Sequence, residues 1–140
     1  MLDCSKNMDY KDLLDNAKVV AVVGLSDKPH RDSYEVAEYL IAHGFKIIPV
    51  NPNIESAFGL KSYPTLLDIP EPVDIVDVFR RANFVPEIVD QAIKIGAKAV
   101  WLQEGISHPS AEAKARQNGL QVVSNACMMK THRKLDSKPV

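Results

Sequence analysis

The stretch VVAVVGLSDKPHRDSYEVAEYL, residues 19–40, decides the fold. An apolar, β-branched run over 19–23 stops at Gly24, a polar loop follows, and a helical pattern begins at about Ser33. That is the outline of a phosphate-binding strand–loop–helix, in which free N–H groups at a helix start face an anion. A dinucleotide fingerprint wants three glycines here, yet Leu25, Ser26 and Asp27 follow Gly24. The loop therefore poses its own question: what does it hold with one glycine?

Working outward, four more short runs repeat the first: 46–50 (KIIPV), 73–79 (VDIVDVF), 98–102 (KAVWL) and 120–124 (LQVVS). Most are continuously apolar rather than alternating, as strands of a parallel sheet are when both faces are covered. Asp74 and Asp77 interrupt the third run and mark it as an edge strand. Helical patterns lie between the runs. Residues 33–43 follow Asp32, with Glu35 as its capping-box partner and Gly44 at the end. Val36, Ala37, Leu40 and Ile41 form one stripe on that helix. Residues 84–95 carry Val85, Ile88, Val89, Ala92 and Ile93 on one face and stop at Gly96, and 109–118 run from Ser107 to Gly119. A helix near 9–16 precedes the first strand, a short turn fills Pro64–Asp68, and a last helix follows Asn125. The tail RKLDSKPV reads as frayed.

Strands alternating with helices and joined by right-handed crossovers make an α/β fold. The expectation is a three-layer, Rossmann-like doubly wound domain. Its five-stranded parallel sheet has order 3-2-1-4-5. One domain over residues 1–140, with its core at about 10–135, accommodates this.

Seventeen Lys and Arg against eighteen Asp and Glu leave a net charge of −1, which favours neither nucleic acid nor a membrane surface. No apolar run approaches the roughly 20 residues of a membrane helix, and the N-terminal segment lacks a signal-peptide core. Cys4 and Cys127 have neither disulfide-framework nor metal spacing, so a reducing cytoplasm is the expected setting.

In such a sheet, ligands sit beyond the C-terminal strand ends where the strand order reverses. With order 3-2-1-4-5 that point lies between strands 1 and 4, at loops Gly24–Asp32 and Gln103–Ser107. Asn51–Pro52, Phe79–Arg81 and Asn125–Cys127 adjoin it. Gly24 offers a tight turn, Ser26 a hydroxyl, and Lys28 and Arg31 charge; the same residues also suit a plain βα turn with solvated charges. No acid stands at the end of strand 2 to grip an adenosine ribose, which counts against ordinary NAD binding. Arg80 leaves strand 3 with a fork suited to phosphate, while Arg81 reads as solvated. Gly105 allows close approach and Gln103 can donate and accept at the cleft. Trp101 reads as core, and the four histidines are scattered. No catalytic constellation, serine elbow or metal site is visible, so none is expected.

Taken together, VVGLSDKPHRDSYEVAEYL, IIPVNPN, SYPTLLDIPEPVDIVDVFRR, VPEIVDQAIKIGAKAVWLQEGI and NACM resemble the small stand-alone CoA-binding proteins. These are similar to the CoA-binding domain of the succinyl-CoA synthetase α subunit. The likeness covers roughly residues 10–135. It implies that Gly24, Ser26 and Lys28 or Arg31 form a loop for the phosphates of CoA. It implies that Asn51 and Pro52 form the adjoining turn, that Val78, Phe79 and Arg80 wall the nucleotide pocket, and that Gln103 and Gly105 form the strand-4 turn. Cys127 matches a cysteine the family often carries. Asp32 stands where the family often has proline, and Asn125–Ala126 replace its usual Asp-Arg.

The reading is a protein that holds CoA or an acyl-CoA without catalysis, as carrier, sensor or redox-linked module. Cys127 is either a packed thiol or a redox handle for the CoA thiol. The synthetase subunits have a second domain with a phosphorylated histidine, which these residues do not contain, so ligase activity by the chain alone is not expected. One alternative is an acyl-CoA ligase subunit completed by a separate nucleotide-binding partner. A further alternative is an NAD(P)-dependent redox protein.

Overall fold

The computed structural model describes residues 3–136, with side chains over 10–135. The side chain of Cys4 and the tail residues 137–140 lie outside the described residues, whereas 133–136 belong to the last helix. In chain order the elements are α1 (Asp3–Asn16), β1 (Val19–Val23), α2 (Asp32–Ala42), β2 (Lys46–Val50), β3 (Ser56–Ala57) and β4 (Leu60–Lys61). Then come β5 (Ile75–Val78), α3 (Val85–Lys94), β6 (Ala99–Leu102), α4 (Pro109–Gln117), β7 (Gln121–Val123) and α5 (Met128–Asp136). A 3-10 turn at Leu66–Asp68 stands where a short turn was expected. Thr65 and Asp68 cap it reciprocally.

The main sheet is parallel throughout, in the order β2-β1-β5-β6-β7. The α/β doubly wound fold and its five parallel strands are as expected, and so are the neighbours β2–β1 and β6–β7. The third strand takes another place. β5 lies between β1 and β6, not outside β2, so the five strands run 2-1-3-4-5. Its register, Val20 with Ile75 and Val23 with Val78, makes it the central strand. Burial explains this: every residue of β5 is inaccessible, which an edge cannot provide. The two aspartates do not mark an edge. Asp74 caps the entry to the sheet, accepting from Lys18 N–H (2.8 Å) and Val19 N–H (2.9 Å), and Asp77 is enclosed within it.

Alternation along each strand feeds two cores. Val20, Val22, Ile75, Trp101 and Val123 face a layer formed by α1, α2 and α5, joined by Leu14, Leu40 and Met128. Ala21, Val23, Val76, Val78, Val100 and Leu102 face α3 and α4, joined by Val85, Val89 and Ala115. A side chain as fully buried as Leu40 contributes about 1.5–3 kcal/mol over its exposed state. Between β2 and the 3-10 turn, β3 and β4 form a two-residue-loop hairpin in which Phe58 and Gly59 both have positive φ. That is the turn handedness which hairpin twist favours. Phe58 stacks on Tyr34 of α2, 4.3 Å between ring centres.

Candidate functional site

Because β5 adjoins β1, the strand order reverses between them, and the loop after β1 meets the exit of β5. Gly24 sits at that meeting. Its N–H donates to Val50 carbonyl (2.8 Å), while Phe79 N–H donates to Val23 carbonyl (2.8 Å). Gly24 has φ +89°, and a Cβ there would fall 2.7 Å from the Phe79 carbonyl oxygen. Only glycine combines that φ with that approach.

The loop is wired from within. Leu25 is fully buried and anchors it. Ser26 Oγ accepts from Lys28 N–H (3.1 Å), and the buried Ser33 Oγ accepts from Ser26 N–H (3.0 Å). Ser33 is thereby drawn inside α2, whose N-cap is Arg31 and has no side-chain cap. The expected Asp32–Glu35 capping box does not form, because Asp32 already lies in the first turn. Asn51 ties the turn after β2 to the loop: its Nδ2 donates to Leu25 carbonyl (3.0 Å) and its Oδ1 accepts from Asn53 N–H (2.8 Å).

Two adjoining clefts open along this edge. The loop cleft, of about 730 Å³, is bordered by Gly24, Ser26, Lys28, Arg31, Asn51 and Phe79, with His30 and Ser33. The second, of about 680 Å³, shares Phe79 and Asp32 with the first and continues past Arg80, Gln103, Gly105 and Cys127. Both volumes fall within the range of small-molecule sites. Val78 and Pro52 are placed elsewhere. Alternation turns Val78 into the α3–α4 core, and Pro52 is exposed on the turn beyond Asn51.

The walls of the second cleft are held by cross-loop bonds. The stem of Arg80 passes over Gly24, and its guanidinium lies 4.0 Å from the Phe84 ring centre. Gly105, at φ +83°, donates its N–H to Asn125 Oδ1 (2.7 Å), and Asn125 N–H donates to Ile106 carbonyl (3.1 Å). The two loops after β6 and β7 are thus clamped together. Lys130 Nζ reaches Glu104 Oε1 at 3.1 Å across the mouth, and that carboxylate raises the lysine's pKa. Cys127 is 8% exposed: its thiol packs into the core layer and also borders the cleft. At the floor, Gln103 donates from Nε2 to Asp77 Oδ1. Burial pushes Asp77 up to about 7, against the smaller opposing effect of that hydrogen bond.

Sequence reasoning put Arg81 and the loop holding Glu104 at this edge but read Arg81 as solvated and gave Glu104 no role; it missed Met129 and Lys130 as cleft residues, and Asp77 beneath it. Arg81 was legible by adjacency to Arg80. Glu104 and Lys130 meet only through the topology, so no local spacing could announce them. Among the described residues no group of His, Cys, Asp and Glu is arranged to hold a metal ion. Nor is any helix of the described residues long and apolar enough to cross a membrane.

The fold and its edge define a Rossmann-like α/β protein with an extended cleft at the switch point of its sheet. The chain belongs to the CoA binding domain family, whose pattern matches residues 18–133. It is 36% identical over 124 residues to the uncharacterized protein YneT of Bacillus subtilis, covering 89% of this chain and 92% of that one. It is 38% identical over 102 residues to the ADP-forming acetate–CoA ligase II of Archaeoglobus fulgidus, covering 71% of this chain but only 15% of the ligase. A hypothetical protein from Pyrococcus horikoshii OT3 has a solved structure with a TM-score of 0.91 and 43% identity, over 94% of this chain and 92% of that one.

Proposed function

We propose that this chain binds CoA or an acyl-CoA along the C-terminal sheet edge and does not catalyse a reaction by itself, acting as a carrier, sensor or redox-linked module. The phosphates lie in the loop cleft against Ser26, Lys28 and Arg31, with Arg80 reaching them from the adjoining second cleft. The pantetheine arm runs past Phe79 toward Gln103, Gly105 and Cys127. Family membership supports CoA as the ligand class. The observation that carries the choice over a nicotinamide dinucleotide is Asn51. It occupies the place of a ribose-gripping acid, and both ends of its amide are spent on Leu25 and Asn53. The test is mass spectrometry of ligand released by denaturing the purified protein. CoA or a CoA thioester is expected, and a dinucleotide in its place overturns the reading.

A second reading is favoured by one observation: the chain matches a segment that makes up 15% of an ADP-forming acetate–CoA ligase. Under it, the chain is the CoA-holding part of an acyl-CoA ligase completed by a separate nucleotide-binding partner. Acyl-CoA formation from acid, CoA and nucleoside triphosphate only on adding that partner would establish it.

A further inference from the structure

Beneath the second cleft, Asp77 is fully buried on the central strand. Its Oδ1 accepts from Gln103 Nε2, and its Oδ2 has no hydrogen-bond partner among the described residues. Gln103 is the residue between this acid and the cleft: it is 4% exposed and lines the floor. An amide has a donor end and an acceptor end. With Nε2 committed to Asp77, Oε1 is the end left for a ligand.

We infer that Asp77 is a positioning residue that keeps the Gln103 carbonyl oxygen available to the cleft, so that the site reads a hydrogen-bond donor on its ligand, and that protonating Asp77 turns the amide over and inverts this reading. The inference rests on the CoA reading above, since the amides and thiol of a pantetheine arm are such donors. In the inverted state the carboxyl O–H of Asp77 donates to Gln103 Oε1, and Nε2 faces the cleft. A ligand N–H or S–H then meets another donor.

Among the described residues, no group other than Gln103 is hydrogen-bonded to the Asp77 carboxyl. Its register partners are Val22 on β1 and Trp101 on β6. The layer above comes from α1, α2 and α5. Tyr10, whose ring centre lies 6.1 Å from that of Trp101, and Tyr39 pack against that layer, and Asp32, Glu35, Cys127 and Lys130 line the cleft. Arg80 follows on its own strand exit. None of them is hydrogen-bonded to Asp77. The acid's titration near 7, caused by burial, places the inversion where a solution experiment can follow it.

Two readouts test this in the whole chain. In ligand-free protein labelled with nitrogen-15, the Gln103 side-chain amide signals, assigned by their loss in Gln103→Leu, are followed from about pH 5.5 to about pH 8.5. They should move with one midpoint near 7 in wild type and stay flat in the near-isosteric Asp77→Asn. Calorimetric CoA affinity should fall about tenfold from the alkaline to the acid limit, one unmade hydrogen bond, beyond the fall seen in Asp77→Asn. The variant serves as reference because the ligand's own phosphate titrates nearby. Stationary Gln103 signals in wild type, or the same pH dependence of affinity in both proteins, would overturn the inference. Moving signals with no CoA binding at any pH would uphold the Asp77–Gln103 coupling and sink the CoA reading instead.

Discussion

The carbonyl oxygen of Phe79 stands 2.7 Å from where a Cβ on Gly24 would be, so the loop after β1 and the exit of β5 touch backbone to backbone. The contact exists because β5 pairs directly with β1. Gly24→Ala must therefore strain a positive φ and push the β5 exit away at once. We expect it to cost about 1–3 kcal/mol of stability and to lower CoA affinity at least tenfold. Fluorescence of the single, fully buried Trp101 reports the unfolding. Unchanged stability and affinity would show that the two segments part without consequence.

Arg80 is half-buried, stacked on Phe84, and makes no ion pair with a carboxylate among the described residues. A cation held by an aromatic ring at the rim of a cleft is available to phosphate. Arg80→Ala should weaken CoA about tenfold or more, as the loss of a charge-assisted hydrogen bond does. If Arg80 meets the ribose 3′-phosphate, dephospho-CoA should be much less affected. Equal affinity of wild type and variant for both ligands would place the phosphates elsewhere.

Asp77 makes stability depend on pH in an unusual direction for a carboxylate. Its folded pKa of about 7 exceeds the unfolded 3.8, so between those values the folded state binds more protons and stability falls as pH rises. The loss approaches ~4 kcal/mol at its limit, from about 1.4 kcal/mol per unit applied to that difference. Asp77→Asn should be progressively more stable than wild type as pH climbs from 4 toward 8. Urea unfolding at a series of pH values checks this, and a pH-independent difference would contradict it.

Asp74 has the opposite sign. Burial alone would raise it, but bonds from Val19 and Lys18 N–H, with Lys98, outweigh that and hold it below the usual value. Its contribution is complete above 3.8 and is lost as pH falls through the lowered folded pKa. Asp74→Asn should cost about 1 kcal/mol at neutral pH, with the deficit closing in acid. A deficit that persists in acid would mean that shape rather than charge is what Asp74 supplies.

The parts of the fold legible in sequence are those where one physical demand dominates. VVAVV and AVWL are buried on both faces and could hardly be anything but central parallel strands. Gly24 announced the tight turn after β1 because few residues suit its positive φ. Asp77 misled, because an acid in a strand ordinarily marks solvent, whereas here it is sealed against Gln103 across 26 positions of chain. The β3–β4 hairpin escaped because its strands are two residues long and Phe58 gives no sign of its positive φ. Ser33 escaped as a loop support since its bond to Ser26 exists only once α2 has begun at Asp32, the residue expected to cap it.

The most direct test of the account is calorimetric titration of the purified, ligand-free chain with CoA and, separately, with NAD. Saturable binding of CoA, with NAD at least tenfold weaker, is expected from a cleft that keeps Gly24, Lys28 and Arg31 but spends Asn51 on Leu25 and Asn53. NAD binding as tight as CoA, or no CoA binding at all, would contradict it.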